Sequence, residues 1–313
     1  MYIQILILIL AIVALYFGAE FALDAAEKIG LYFGMSPLVI GLVLIGFGTS
    51  LPEFFVSQLA CLNGEPEIAM GNIIGSNIAN LFLIMGVSGL LTPLYIMSQD
   101  IRRQVIIHVL LTVFLSVIIL YIGINPLTTV LLALFFGVYL WDTFAQMRKQ
   151  RQMRNIEDEA EAEEVEKLEV FVFGKLLVGF VFLYFGGEYL VKSGTEIGKL
   201  SGIPAYVISA IFVAFGTSFP ELVTALIACA KKKNTDLITG NIIGSNIFNV
   251  AFVMGSIGIY EVPIRQNYNV ELGALMFAAL FLVMLVMVKR NFHRFAGVVF
   301  LATYGAIIYH WIQ

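Results

Sequence analysis

Gly71-Asn-Ile-Ile-Gly-Ser-Asn-Ile-Ala-Asn80 recurs as Gly240-Asn-Ile-Ile-Gly-Ser-Asn-Ile-Phe-Asn249, with a single position changed. Upstream, Gly48-Thr-Ser-Leu-Pro-Glu53 answers to Gly216-Thr-Ser-Phe-Pro-Glu221, and Tyr16-Phe-Gly-Ala-Glu20 answers to Tyr184-Phe-Gly-Gly-Glu188. Cys61 falls opposite Cys229, and the spacing slips only by one residue around Lys231 to Asn234. Chance does not reproduce three motifs in order, so the chain is one structural unit written twice.

The solvent of that unit follows from composition. Of 313 residues, 60% are hydrophobic and 13% charged, with a mean hydropathy of +0.92, whereas soluble domains carry about 25% charged residues. Apolar runs such as Ile3 to Phe17, Val105 to Ile122, Leu127 to Trp141 and Leu272 to Val288 approach the roughly 20 residues that cross a ~30 Å hydrocarbon core. The pattern predicts an all-α polytopic membrane protein with the lipid bilayer as its main partner. Ten spans are expected, near residues 3–24, 35–62, 67–91, 103–123, 126–147, 170–192, 203–230, 236–258, 268–288 and 294–311. The first run has no basic flank and no cleavage site in a polar stretch, so it reads as a helix rather than a removable signal.

Five spans per half is an odd number, so the second half enters the membrane from the opposite side and the halves are inverted. The expected division is 1–147 for the first repeat, 148–169 for a hydrophilic linker and 170–313 for the second repeat. Lys and Arg concentrate in the loops after odd-numbered spans, Arg102, Arg103, Arg148, Lys149, Lys231, Lys232, Lys233, Lys289 and Arg290 among them. The positive-inside rule then places both termini outside and the linker in the cytoplasm. The linker's acidic run lacks the Gly and Asn/Asp spacing of a calcium loop and reads as a solvated segment. Short loops suggest a prokaryotic cytoplasmic membrane.

The remaining reactive residues are sparse. Cys61 and Cys229 sit in apolar segments and are expected to be free thiols that pack as small hydrophobes. His108, His293 and His310 form no metal spacing and read as solvated or interfacial. Nothing indicates nucleic acid, a cofactor or an obligate protein partner, and no Ser/Lys, paired-Asp or HExxH arrangement supports an enzyme.

Glu53 and Glu221 stand out, because each lies in an apolar stretch with no Lys or Arg within its motif. An ionised carboxylate there costs several kcal/mol unless it is paired, neutralised or hydrated. Two of them match one divalent cation in charge. The preceding Gly-Thr-Ser-x-Pro brings a flexible glycine, two hydroxyls and a proline that frees backbone carbonyls. Thr49, Ser50, Thr217 and Ser218 therefore add oxygen donors to the carboxylates, the mixture that Ca2+ prefers. Ser76, Asn77, Asn80, Ser245, Asn246 and Asn249 add hydroxyl and amide oxygens, while their glycines permit close helix approach. Glu20 and Glu188 are read as lying near helix ends, in an anchoring or gating-helix role; Asp24 and Asp142 receive no role.

These segments resemble the cation/Ca2+ exchanger superfamily, whose two alpha repeats carry GTSxPE followed by GNxxGSNxxN/D. The resemblance spans nearly the whole chain and extends to prokaryotic Na+/Ca2+ exchangers. It implies a ten-helix antiporter in which spans 2, 3, 7 and 8 form the ion-binding core and spans 1 and 6 slide across it. Carried onto this sequence, it makes Glu53, Glu221 and the carbonyls of Thr49 and Thr217 the Ca2+ ligands. Gly46, Ser50 and Ser76 with Ala214, Ser218 and Ser245 match positions that complete flanking Na+ sites, and the remaining central positions are Asn80 and Asn249. Ca2+ and Na+ are then substrates, exchanged at a stoichiometry of one to three by resemblance. Some relatives place Asp where Asn249 stands, and its absence argues against K+ co-transport. A Ca2+/H+ exchanger is the nearest alternative, though proton-coupled relatives show GNxxE where this chain has Gly-Asn-Ile-Ile-Gly. A cation channel is a more distant one, since inverted halves around a midplane site suit alternating access.

Overall fold

The computed structural model describes residues 1–96, 99–157, 168–202 and 216–312. It is all-α, and the helices are α1 (Tyr2–Tyr32), α2 (Pro37–Leu62), α3 (Pro66–Leu91), α4 (Ile101–Ile122), α5 (Pro126–Glu157), α6 (Val170–Leu200), α7 (Phe219–Ala230), α8 (Thr235–Tyr260), α9 (Asn269–Met287) and α10 (Arg294–Ile312). Eight helices among the described residues are long and apolar enough to cross a membrane.

The expected spans and the helices agree closely, with three informative differences. Helix α1 continues past residue 24 to Tyr32, and α6 continues past 192 to Leu200. Each is 31 residues long, or about 46 Å at 1.5 Å per residue, well beyond the hydrocarbon thickness. Asp24, Glu27, Lys192 and Lys199 lie at or beyond the expected ends, but these side chains find ion-pair partners and the helices run on. What stops them is conformational: Gly34 and Gly202 occupy the equivalent place after each helix at φ +71° and +72°, which a glycine adopts without strain. Helix α5 likewise extends to Glu157, into the segment expected to be linker. The rest of the acidic run, residues 158–167, and the first part of the seventh expected span, 203–215, lie outside the described residues.

The two halves are related by an internal symmetry. Loop residues Leu94 and Phe292 form one isolated bridge, and Ile124 and Val262 form another. Adding 168 turns 94 into 262 and 124 into 292, so each bridge is the other's repeat mate. The helix contacts follow the same rule: α1 packs on α6, α4 on α9, α3 on α10 as α8 on α5, and α2 on α8. Ten spans in two inverted five-helix repeats is therefore the architecture.

Burial sorts the helices into centre and periphery. In their most apolar stretches α3 and α8 are 78% and 83% buried, against 28% and 22% for α1 and α6. The apolar core gathers around α2, α3, α4, α8, α9 and α10. Helices α1 and α6 instead form their own seam of small residues, Ala19 and Ala22 against Leu183. A Cβ on Gly18 would stand 2.9 Å from the carbonyl of Gly179, so the two backbones touch there.

Candidate cation-binding site

Both Gly-Thr-Ser-x-Pro-Glu motifs enter a helix through the same turn. In α2 the segments Gly46–Thr49 and Leu51–Leu62 meet at Ser50, whose φ and ψ are −87° and 2°. In the second half the turn Gly216–Ser218 leads into α7 through Ser218 at −85° and 7°. Pro52 and Pro220 fall in the first turn of the helix that follows, where a missing N–H costs nothing. Glu53 and Glu221 share that first turn and so stand at helix N-termini, whose partial positive charge favours a carboxylate.

Both glutamates are completely buried, at 0% exposure. Neither oxygen of Glu53, nor Oε2 of Glu221, has a hydrogen-bond partner within 3.5 Å, and the hydroxyls of Thr217 and Ser76 approach Glu53 more loosely. Ser50 Oγ donates to Glu221 Oε1 at 3.5 Å and joins the halves. No Lys or Arg pairs with either glutamate among the described residues; the ion pairs lie elsewhere, on α1, α4, α5, α6, the first turn of α3 and surface loops.

The threonines are held crosswise. Thr217 Oγ1 donates to Asn72 Oδ1 at 2.9 Å and lies 3.1 Å from Ser76 Oγ. Its mate Thr49 Oγ1 lies 3.5 Å from Asn241 Oδ1 and 3.4 Å from Ser245 Oγ. Each half thus completes the other's motif, and Ser245 also donates to the carbonyl of Gly46 at 3.4 Å. Asn72 and Asn241 were not singled out from sequence as site residues, although their place in the duplicated Gly-Asn motif was the available signal. Asn72 Nδ2 reaches the Glu53 carbonyl at 3.1 Å, and Asn241 Nδ2 reaches Thr224 Oγ1 at 3.2 Å.

Asn80 and Asn249, further along α3 and α8, are both at 0% exposure. Asn80 Nδ2 donates to Asn246 Oδ1 at 3.0 Å, while Asn80 Oδ1 and both polar atoms of Asn249 are unpartnered. Each belongs to a π-helical stretch, Ala79–Met85 and Asn249–Met254. A third such stretch, Ile40–Ile45, leads into Gly46. Such wide turns interrupt the regular i to i−4 ladder and concentrate at functional sites. Of the expected site residues, Gly46, Thr49, Ser50, Glu53, Ser76, Asn80, Thr217, Ser218, Glu221, Ser245 and Asn249 fall in this midsection; Ala214 lies outside the described residues.

Three readings from sequence need correction. His108 is not solvated: it is 4% exposed, and its Nε2 lies 3.4 Å from Asn246 Nδ2. Its burial comes from the packing of α4 against α8, which hydropathy does not report. Glu20 and Glu188 are not at helix ends, because α1 and α6 run about three turns past them. Glu20 pairs with Lys231 at 2.6 Å, and Glu188 pairs within its own helix with Lys192 at 2.5 Å. His293 and His310 are exposed, as expected, and Cys61 and Cys229 are both free.

Ten membrane helices in two inverted halves, with unpaired acids and oxygen donors where the halves meet, define a transporter of the exchanger type. The chain belongs to the sodium/calcium exchanger protein family, which its residues 3–144 and 171–313 match. It is 30% identical over 298 residues to an uncharacterized membrane protein of Methanocaldococcus jannaschii, covering 95% of this chain and 94% of that one. With the sodium/calcium exchanger MaX1 of Methanosarcina acetivorans it shares 27% identity over 345 residues, 98% and 97% of the two chains. Its fold superposes on the sodium-calcium exchanger NCX_Mj soaked with zero Na+ and Ca2+, with a TM-score of 0.83, 29% identity and coverage of 98% and 99%.

Proposed function

We propose that this exchanger moves Na+ against Ca2+ by alternating access, with Ca2+ held between Glu53 and Glu221 and the backbone carbonyls of Thr49 and Thr217. Gly46, Ser50 and Ser76, with Ala214, Ser218 and Ser245, contribute to flanking Na+ positions, and Asn80 and Asn249 line the centre. The observation that carries this reading is the pair of fully buried carboxylates, one from each half, with free oxygens and no basic partner. A buried acid costs about 2.5 to 3.5 kcal/mol on insertion scales, and a transported cation is the compensation the site lacks. Two negative charges balance one Ca2+, whereas several Na+ overfill them, so one-for-three exchange would carry net charge across the membrane.

Residues 1–147 and 170–313 act as the two repeat units, joined by the 148–169 linker. Both termini lie outside a cytoplasmic membrane and the linker inside it, on the distribution of Lys and Arg. No cofactor takes part; both cations are substrates.

The test is reconstitution in Na+-loaded liposomes diluted into Na+-free, Ca2+-containing buffer at constant pH, followed by 45Ca2+ uptake. Uptake that requires the Na+ gradient is expected. Uptake driven by a pH gradient alone would replace Na+ with H+ as the coupling ion, and none under either gradient would remove Ca2+ as the substrate.

A further inference from the structure

We propose that His108 is a positioning residue for the ion site, acting through Asn246 to hold the amide of Asn80 with its carbonyl oxygen free for a cation. The inference rests on the exchange reading above and assigns a role to a side chain outside the duplicated motifs.

Three buried side chains from three helices form the relay. His108 in α4 is 4% exposed, Asn246 in α8 and Asn80 in α3 are 0% exposed. An amide nitrogen only donates, so at the 3.4 Å contact Asn246 Nδ2 gives its hydrogen to His108 Nε2 and the imidazole proton sits on Nδ1. The same Nδ2 donates to the Asn77 carbonyl at 3.4 Å. Two acceptors on one side of Asn246 fix which end of its amide faces them. Its Oδ1 must then point the other way, where it accepts from Asn80 Nδ2 at 3.0 Å. That bond engages the donor end of Asn80 and leaves Oδ1 buried and unpartnered. An orphan buried carbonyl oxygen is costly unless it has a ligand to meet.

The second half lacks this device, which makes the role specific to Asn80. Helix α9, the counterpart of α4, carries no polar side chain after Glu271. Asn77, the repeat mate of Asn246, donates to the Ile73 carbonyl of its own helix at 2.7 Å. Asn249, the mate of Asn80, has no partner for either polar atom. One central amide is held by a neighbouring side chain and the other is not.

The experiment measures Na+-driven 45Ca2+ uptake in proteoliposomes for wild type, His108→Leu, His108→Gln, Asn80→Ala and His108→Leu/Asn80→Ala. Intact folding of each variant is checked by size-exclusion profile and melting temperature in detergent. His108→Leu is expected to raise the apparent KM for Ca2+ roughly fivefold, the worth of one buried hydrogen bond, with little change in maximal rate. His108→Gln, which restores an acceptor, is expected to recover most of that loss. The double variant should be no worse than Asn80→Ala alone, because the effect passes through Asn80. An unchanged KM in His108→Leu, a Gln variant no better than Leu, or additive losses in the double variant would each overturn the proposal. Absent exchange in wild type would instead remove the reading on which it rests.

Discussion

Residues 71–80 of α3 and 240–249 of α8 are nearly the same, yet their exposure among the described residues differs. Gly240, Asn241 and Gly244 are buried, whereas Gly71 is exposed and Asn72 and Gly75 are half-buried. A Cβ on Gly240 would stand 2.4 Å from the Leu38 carbonyl, and one on Gly244 2.7 Å from Leu42 Cα, so α8 lies backbone to backbone on α2. On the α3 side a Cβ on Gly71 or Gly75 meets nothing among the described residues. Gly240 and Gly244 thus make a sealed crossing with α2, while the repeat counterpart of its Leu38–Leu42 stretch, residues 206–210, lies outside the described residues. Local sequence does not dictate a motif's partners: Asn246 accepts from Asn80 of the other half, whereas its mate Asn77 donates to the Ile73 carbonyl of its own helix.

The largest expected effect tests where the halves are alike. Glu53→Gln and Glu221→Gln each remove one of two matched charges, and each should lower Na+-driven 45Ca2+ uptake more than a hundredfold, by analogy with a cost of about 3 kcal/mol for breaking a buried charge pair. Retained exchange in either variant would mean that the two carboxylates do not share one cation.

The sealed crossing of α8 on α2 sets the next effect. Alanine at Gly240 forces the α2 backbone away and is expected to destabilise the protein by about 1–3 kcal/mol, read as a lower melting temperature. An unchanged melting temperature in Gly240→Ala would contradict that backbone contact.

The smallest effect concerns the ion pairs that tie α1 to the loop between α7 and α8. Lys231 meets Glu20 at 2.6 Å and Asp24 at 3.9 Å, and Lys233 contacts Asp24 and Glu27. The corresponding loop of the first half reads Asn63-Gly64-Glu65 and has no cation to offer α6. The double variant Lys231→Gln/Lys233→Gln should therefore change exchange rate by about two- to fivefold, while Lys192→Gln, which breaks only a pair within α6, should not. Glu20 holds the Lys231 ammonium above its ordinary value, so the contribution is complete at neutral pH and fades only as pH rises past the usual lysine range. Equal effects from both variants would remove the distinction between the two sides.

Much of this was readable before any coordinates, and the failures share a cause. Duplicated motifs, apolar runs and an odd number of spans per half suffice to order the helices. Glu53 and Glu221 are conspicuous because a carboxylate in an apolar segment is expensive wherever that segment packs. His108 carries no such signal: its burial and its contact with Asn246 depend on how α4 crosses α8. The ends of α1 and α6 were misplaced because charged residues imply water in a hydropathy profile, while here Asp24 and Glu27 are met by Lys175, Lys231 and Lys233. Asn72 and Asn241 sat within the quoted motifs, but only the crosswise contacts with Thr217 and Thr49 distinguish them from residues that merely pack.

Equilibrium binding of 45Ca2+ to the purified protein at fixed pH, with Na+ as competitor, tests most directly whether one divalent cation joins the two halves. One Ca2+ per chain, displaced cooperatively by Na+ and lost in both Glu53→Gln and Glu221→Gln, is the expected result. Two independent Ca2+ sites, or one that survives the loss of either carboxylate, would contradict a single site shared between the repeats.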